Sequence, residues 1–377
     1  KSFFAIQSVG LVTGRDSYMY NFFKSELQSK INRSIKYYND LLETIEDKNN
    51  YSFEDSEKNI QWTRALKRSF INNKKIKFNK SLIREASYRP FNKQLLYAEP
   101  RLIESYGKIK NVFLDNNIVI TIPKPSSNKE FSCLITDKIT DFGYLGGTQA
   151  LPLYYYEAEE EKEKIKSKYV IKDIYAEKDN NGYQLFDYRI KRKFAISDYI
   201  MKLANEKYGR VCEEDIFYYV YGILHSPKYR TKYANDLKKM LPHIPLLEKK
   251  ELFFHFADAG RKLALLHLNY ENQKPLKEIK ISGLESDNFR VKKMKFGKID
   301  SNKDKTAIIY NNNITISDIP EKAYDYVVNG KSAIEWIMER YQYTIDKDTE
   351  IINDPNEWAQ VEENKRYILD LLLSVIT

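Results

Sequence analysis

Residues Asp215–Pro245 read DIFYYVYGILHSPKYRTKYANDLKKMLPHIP, two helices with a punctuated break between them. Ile216, Val220 and Ile223 stand at i, i+4 and i+7, one apolar face of a helix. Glu213, Glu214 and Asp215 open it with the charge that a helix N-terminus favours. Ser226-Pro227 then reads as an N-cap followed by proline at the first helical position, so a new helix starts at once. Tyr229, Tyr233 and Leu237 share one side of that helix, and Lys228, Arg230, Lys232, Lys238 and Lys239 fall largely elsewhere. Pro242 and Pro245 end it, because a residue before proline avoids the helical region. The expectation is a helical hairpin with a basic second arm. The plain reading of such a charge run is a solvated face; the functional one makes Lys228, Arg230 and Lys232 contacts to a polyanion.

Working outward, the 377 residues suffice for two or three packed units, and 42% hydrophobic with 31% charged residues is a globular composition. No apolar run reaches the length of a membrane span and no secretory signal is visible, so the expected location is cytoplasmic. The chain opens Lys-Ser-Phe-Phe, which reads as a piece of a longer protein. Cys133 and Cys212 lack paired spacing, and with four scattered histidines they offer no metal set; two reduced thiols are expected. A net charge of +9 points towards a polyanionic partner.

Towards the N-terminus, Phe3–Val12 and Ser17–Phe23 read as extended segments joined by a turn at Thr13-Gly14-Arg15-Asp16. Leu27–Glu46 and Glu57–Asn72 read as helices. From Ile60 to Lys110 there are thirteen Lys or Arg residues against three acids, Glu85, Glu99 and Glu104. Phe70, Phe78, Tyr88, Phe91, Tyr97 and Tyr106 are interleaved with them. Cations matched to phosphates release counterions, so this stretch supplies the candidate nucleic-acid contacts Arg64, Lys67, Arg68, Lys74, Lys75, Arg89, Lys93 and Arg101. Arg89 has two readings, a fork presented to phosphate or guanine, or a structural partner for a carboxylate. Val112–Ile122, Phe131–Thr136 and Leu151–Tyr156 read as strands. Gly143-Tyr144-Leu145-Gly146-Gly147 lacks the lysine and spacing of a phosphate loop and reads as a close backbone passage. Glu157–Lys168 is a charged linker or exposed helix, and Tyr169–Phe194 continues in irregular, partly extended form.

Beyond the organising stretch, Ile196–Tyr208 reads as a helix ended by Gly209. Glu248–Leu268 reads as another, with Leu252, Phe256, Leu263 and His267 facing inward and His267 as a hydrogen-bonded core histidine. Phe289–Phe296 and Thr306–Ile316 read as strands. Asn311-Asn312-Asn313 is a turn cluster, or else a set of amides for adenine. Pro320–Asn329, Lys331–Tyr341 and Val361–Val375 read as helices. The fold expected is α+β: a sheet-containing unit over 1–160, a connection over 161–195, a helical subdomain over 196–275, and strands and helices over 276–377.

Several words, in this order along the chain, resemble the C-terminal target-recognition region of type ISP restriction-modification enzymes, single chains joining nuclease, helicase, adenine methyltransferase and specificity regions. They are GLVTGRD at Gly10–Asp16, YRPFN at Tyr88–Asn92, LPLYYY at Leu151–Tyr156, and YVYGILHSPKYRTKYANDLKKMLPHIP ending at Pro245. DAGRKLALLHL at Asp258–Leu268, IEWIMERYQ at Ile334–Gln342 and NDPNEW at Asn353–Trp358 complete the set. Two positions depart from the family pattern: Asn92 where an acid is usual, and His243 where arginine is. The resemblance implies that Arg15 faces DNA. It also implies double-stranded DNA as partner, an upstream methyltransferase region whose adenine target this chain positions, and a monomeric fragment. The S-adenosylmethionine turn, the N-P-P-aromatic loop and the P-loop are absent from this sequence. Asp354-Pro355-Asn356-Glu357-Trp358 lacks the second proline of the methyltransferase word. No catalysis and no cofactor are therefore expected here, with S-adenosylmethionine, ATP and Mg expected upstream. Two other readings stand beside sequence-specific recognition: a docking scaffold between methyltransferase and helicase, and a general nucleic-acid-binding module.

Overall fold

A computed structural model describes residues 2–56, 59–114, 116–127, 129–159, 189–358 and 362–377. The first unit contains β1 (Ser8–Val9), α1 (Asp16–Met19), β2 (Tyr20–Asn21), α2 (Lys24–Thr44) and α3 (Arg64–Ile71). It continues with β3 (Ile83–Arg89), β4 (Asn92–Tyr97), β5 (Val119–Pro123), β6 (Leu134–Thr136), β7 (Ile139–Thr140) and β8 (Thr148–Pro152). Two four-stranded sheets result, ordered β1-β8-β5-β6 and β2-β4-β3-β7. All five residues of β5 are buried, which is why that segment reads as a β-branched run without alternation.

Local chemistry shortens or redirects several expected elements. Ser17–Phe23 is not one strand: Arg15 O accepts the N–H groups of Tyr18 and Met19, making a helical turn, and only Tyr20 and Asn21 pair with β4. Of the helix expected over Glu57–Asn72, Glu57 and Lys58 lie outside the described residues, and the described helix starts at Arg64, where Thr63 Oγ1 accepts from Leu66 N. Before it, Asp55 accepts from Trp62 N and a bridge joins Ser56 to Ile60, so the chain doubles back. Val112–Ile122 becomes strand only from Val119, because the Asn117 amide holds the carbonyls of Val112 and Tyr154 at a bend.

A ribbon of β9 (Tyr154–Glu159) and β10 (Arg189–Phe194) leads into the helical unit, and residues 160–188, with most of the expected connection, lie outside the described residues. The unit comprises α4 (Asp198–Tyr208), α5 (Glu213–His225), α6 (Pro227–Lys232), α7 (Ala234–Lys239) and α8 (Lys250–Leu268). Ser226 caps α6 as its sequence requires, but Tyr233 (φ −109°, ψ 20°) breaks the second arm into two short helices. The inward face of α8 also differs from expectation. Phe253, Ala257, Gly260 and Ala264 are buried, while Leu252 is 43% exposed. Small residues decide the rotation: a Cβ at Gly260 would lie 2.0 Å from Tyr218 O, and one at Gly222 would lie 2.3 Å from Phe256 O. The backbones of α5 and α8 therefore touch where each carries glycine.

His267 is indeed hydrogen-bonded, Nδ1 meeting the Tyr221 hydroxyl. His225 lies nearby with its ring nitrogens 3.0 Å from Tyr221 O and 3.1 Å from Cys133 O. Burial, with Arg230 adding to it, lowers the His267 pKa to about 4 and that of His225 to about 3. Both rings stay neutral in the fold where the unfolded chain takes up protons. The stability this contributes is present above about pH 6.5 and is lost as pH falls from there towards the folded pKa values. His267→Gln is expected to flatten that fall by up to about 1.4 kcal/mol per pH unit in urea titrations below pH ~6.5. Parallel curves for the two proteins would mean that His267 titrates normally in the fold.

The C-terminal region contains β11 (Lys280–Ser282), β12 (Lys295–Ile299), β13 (Asn302–Ile309) and β14 (Thr315–Ser317) in the sheet order β11-β14-β13-β12. The hairpin β15 (Val327–Val328)–β16 (Lys331–Ser332), α9 (Ala333–Arg340), the hairpin β17 (Thr344–Ile345)–β18 (Ile352–Asn353) and α10 (Tyr367–Ile376) follow. Pro320–Asn329 is a 3-10 turn at Glu321–Tyr324 leading into β15 rather than a helix. Strand β12 begins only at Lys295, and Asn311–Asn313 separates β13 from β14. The helix expected over Lys331–Tyr341 begins after Ser332, whose hydroxyl and Glu335 form a reciprocal cap. Of that expected over Val361–Val375, Tyr367 onward is helical, and Val361 lies outside the described residues.

The fold is α+β. The C-terminal region shares one core with the first unit: the Phe22 ring lies 5.6 Å from Tyr341 and 6.4 Å from Trp358, both fully buried. The helical unit makes a second core with Ile120 and Ile122 of β5, Ile135 of β6 and Cys133 just before that strand.

Candidate nucleic-acid interface

The two N-terminal words that stood apart in sequence meet at one point. Thr13 Oγ1 donates to Asp16, and the Tyr88 hydroxyl donates to Asp16 Oδ2 at 3.1 Å. Arg89 Nη1 binds Asp141 Oδ1 at 2.6 Å, and its Nη2 reaches Asp16 at 3.3 Å. Asp141 also accepts from the Tyr20 hydroxyl at 3.0 Å and from Gly143 N at 2.7 Å. The glycine-containing turn after Asp141 thus brings a backbone donor to a buried carboxylate. Burial raises the Asp141 pKa to about 6 against the pull of Arg89. Arg89 stacks on Tyr88, its guanidinium carbon 3.8 Å from the ring centre. Of its two readings, the geometry shows the structural one.

Arg15 requires correction. Expected to face DNA, it is only 2% exposed, with Nη1 donating to Gln61 O at 2.8 Å. The guanidinium closes the loop that precedes α3, and burial lowers its pKa to about 10. Four further candidates from the basic stretch are held by carboxylates: Arg64 by Glu104, Lys75 by Glu43, Lys93 by Glu271 at 2.9 Å and Arg101 by Glu99 at 2.7 Å. Among these, Lys93 is largely buried, whereas the side chain of Arg64 is 87% exposed and can turn outward. Lys67 lies over the Phe53 ring. Arg230 donates to Leu224 O at 2.6 Å and points over Phe131, so its role in the second helical arm is local.

What remains open to an anion is narrower than the sequence suggested. Arg68 at the end of α3 and Lys74 in the loop after it are exposed and make no ion pair among the described residues. Lys77 and Lys80 continue the same loop, exposed likewise, although the sequence did not single them out. Asn73 turns this loop with φ 54°, and Ile76 anchors it in the core. Lys228 and Lys232 form a second exposed pair, on α6. Asn311, by contrast, is fully engaged: its amide donates to Asn288 O and Arg290 O, and its carbonyl accepts from Asn313 N and Ile314 N. The asparagine cluster is a turn.

Residues 2–371 match the family described as the Type ISP C-terminal specificity domain. The chain belongs to this family. No curated protein matches the sequence. Among solved structures, this specificity domain is similar to part of a nuclease-deletion mutant of the Type ISP restriction-modification enzyme LlaGI, in complex with a DNA substrate mimic. There the TM-score is 0.80 at 36% identity, over 100% of this chain and 32% of that one. It is similar to part of the ATP-dependent Type ISP restriction-modification enzyme LlaBIII bound to DNA, with TM-score 0.82 at 37% identity, over 100% of this chain and 22% of that one. A third similarity is to the DrdV–DNA complex, with TM-score 0.80 at 27% identity, over 100% of this chain and 35% of that one. The specificity domain therefore spans between about a fifth and about a third of the chains that it matches.

Among its described residues no three His, Cys, Asp or Glu side chains converge as a metal ion would need, and no helix is long and apolar enough to cross a membrane. The buried Asn92 receives a 3.3 Å contact from Gln94 and leaves its Nδ2 without a hydrogen bond.

Proposed function

We propose that this specificity domain recognises a double-stranded DNA target for a larger restriction-modification enzyme and so fixes where an upstream methyltransferase flips its adenine. The carrying observation is the whole-length likeness to parts of LlaGI and LlaBIII, both described in complex with DNA or a substrate mimic. Within the chain, Arg68 on α3 and the loop lysines Lys74, Lys77 and Lys80, exposed and without an ion pair among the described residues, support the reading, since one short surface segment can span successive phosphates. The role is recognition rather than catalysis, and we assign the chain itself no cofactor; S-adenosylmethionine, ATP and Mg belong to other parts of the enzyme. We place the domain in the cytoplasm as a monomer; the two free cysteines fit the reducing compartment.

Fluorescence anisotropy with labelled duplexes across a salt series tests this. Lys74→Ala/Lys77→Ala/Lys80→Ala is expected to weaken binding to all duplexes alike and to reduce the slope of log affinity against log salt by about three. An unchanged slope would remove the loop from the interface. Absence of wild-type binding even at low salt would favour the docking scaffold instead, and a preference for single strands would favour a general nucleic-acid module.

A further inference from the structure

Between Lys292 and Lys305 there are six lysines and two aspartates, a basic segment lying outside the stretch richest in cations. It builds the β12–β13 hairpin. Strand β13 pairs with β14 only at Ile308 and Ile309, so the arm towards the turn is a two-stranded ribbon. Asp300 (φ 47°) and Ser301 (φ 69°) form its tip, the doubly left-handed turn that matches strand twist in tight hairpins. Every residue from Lys298 to Lys303 is exposed, and Ile299 is 61% exposed.

The register around this tip is unfavourable for the chain on its own. Lys298 pairs directly with Lys303, and like charges facing across strands weaken a hairpin. Lys303 and Lys305 share a single carboxylate, Glu335, at 3.8 and 3.3 Å, and Lys298 has no ion pair among the described residues. One step nearer the turn, Ile299 pairs with Asn302. An apolar side chain and an amide thus project together from one face of the ribbon tip, and the two cations stand on the other. A major groove admits a two-stranded ribbon, an asparagine amide bonds adenine bidentately, and an apolar group contacts the thymine methyl.

We infer that the β12–β13 hairpin enters the major groove of duplex DNA, with Lys298 and Lys303 on flanking phosphates and Asn302 and Ile299 against an A·T base pair. This rests on the DNA-reading role proposed above and adds the element that reads. It also moves the adenine-bonding amide from Asn311, which the turn consumes, to Asn302.

The test is selection of the whole chain against randomised duplexes, followed by anisotropy on the enriched site. Asn302→Ala should keep the wild-type melting temperature and accept other base pairs at one position, with discrimination there reduced about tenfold or more. Ile299→Ala should relax the same or the adjacent position. Lys298→Ala/Lys303→Ala should weaken every duplex and lower the salt slope by about two. If wild type enriches a site and the Asn302 and Ile299 variants read it equally tightly, the hairpin assignment is wrong while DNA recognition stands. If wild type enriches no sequence, both are wrong.

Discussion

Arg89→Ala is expected to destabilise the specificity domain by roughly 3–5 kcal/mol while leaving its affinity for duplex DNA, measured on the folded fraction, nearly unchanged. The side chain of Arg89 is 19% exposed and that of Asp141 only 5%, so deleting the guanidinium strands a carboxylate that water cannot reach. Gly143 N and the Tyr20 hydroxyl would still donate to Asp141, which keeps the loss finite. Asp16 sits at the wetter edge of the network, its side chain 36% exposed, and loses less. Urea denaturation of the single variants and of Arg89→Ala/Asp141→Asn separates the pair from the rest, because removing the stranded charge should recover part of the loss. Unchanged stability together with a large fall in DNA affinity would return Arg89 to the interface.

This result bears on what the sequence could show. Type ISP membership was legible because several words kept their order from Gly10 to Trp358, and the α+β class followed from alternating strand and helix patterns. The roles of the cations inside those words were not legible. Arg15 and Arg89 have the charge of a phosphate contact, yet one closes a loop on Gln61 O and the other joins Asp141, 52 residues further along. A carboxylate that distant in sequence is invisible to local pattern. Lys75 and Lys93 were absorbed similarly by Glu43 and Glu271, whereas Arg101 pairs with Glu99 only two residues before it. The informative local signal lay in the loop Asn72–Lys80, where four lysines surround Ile76, which is fully buried, and Phe78, which stacks on Tyr97.

Gly260→Ala is the second substitution expected to have a large effect, and here the sign itself is diagnostic. In an isolated helix alanine is better than glycine by about 1 kcal/mol, so propensity alone predicts a stabilised α8. In this fold the added Cβ would meet Tyr218 O at 2.0 Å, Gly222 N at 2.8 Å and Tyr218 C at 2.9 Å. All three are backbone atoms of α5, and none can swing aside as a side-chain end would. The helices must separate by an ångström or more, which loosens the stacked Tyr208, Phe253 and Tyr219 rings, whose centroids lie 4.4 and 4.6 Å apart. Overpacking of this kind commonly costs about 1–3 kcal/mol and occasionally more; with three backbone clashes we expect about 3 kcal/mol net, read as a lower urea midpoint. Ala259→Gly on the exposed side of the same helix isolates the propensity contribution and should cost about 1 kcal/mol. The rotation of α8 rests on this contact, since Leu252, Leu265 and Leu266 remain exposed so that Gly260 can face Gly222. A Gly260→Ala protein as stable as wild type would mean that α8 can rotate to bring Leu252 inward beside Phe256 and Leu263, the face its sequence periodicity favours.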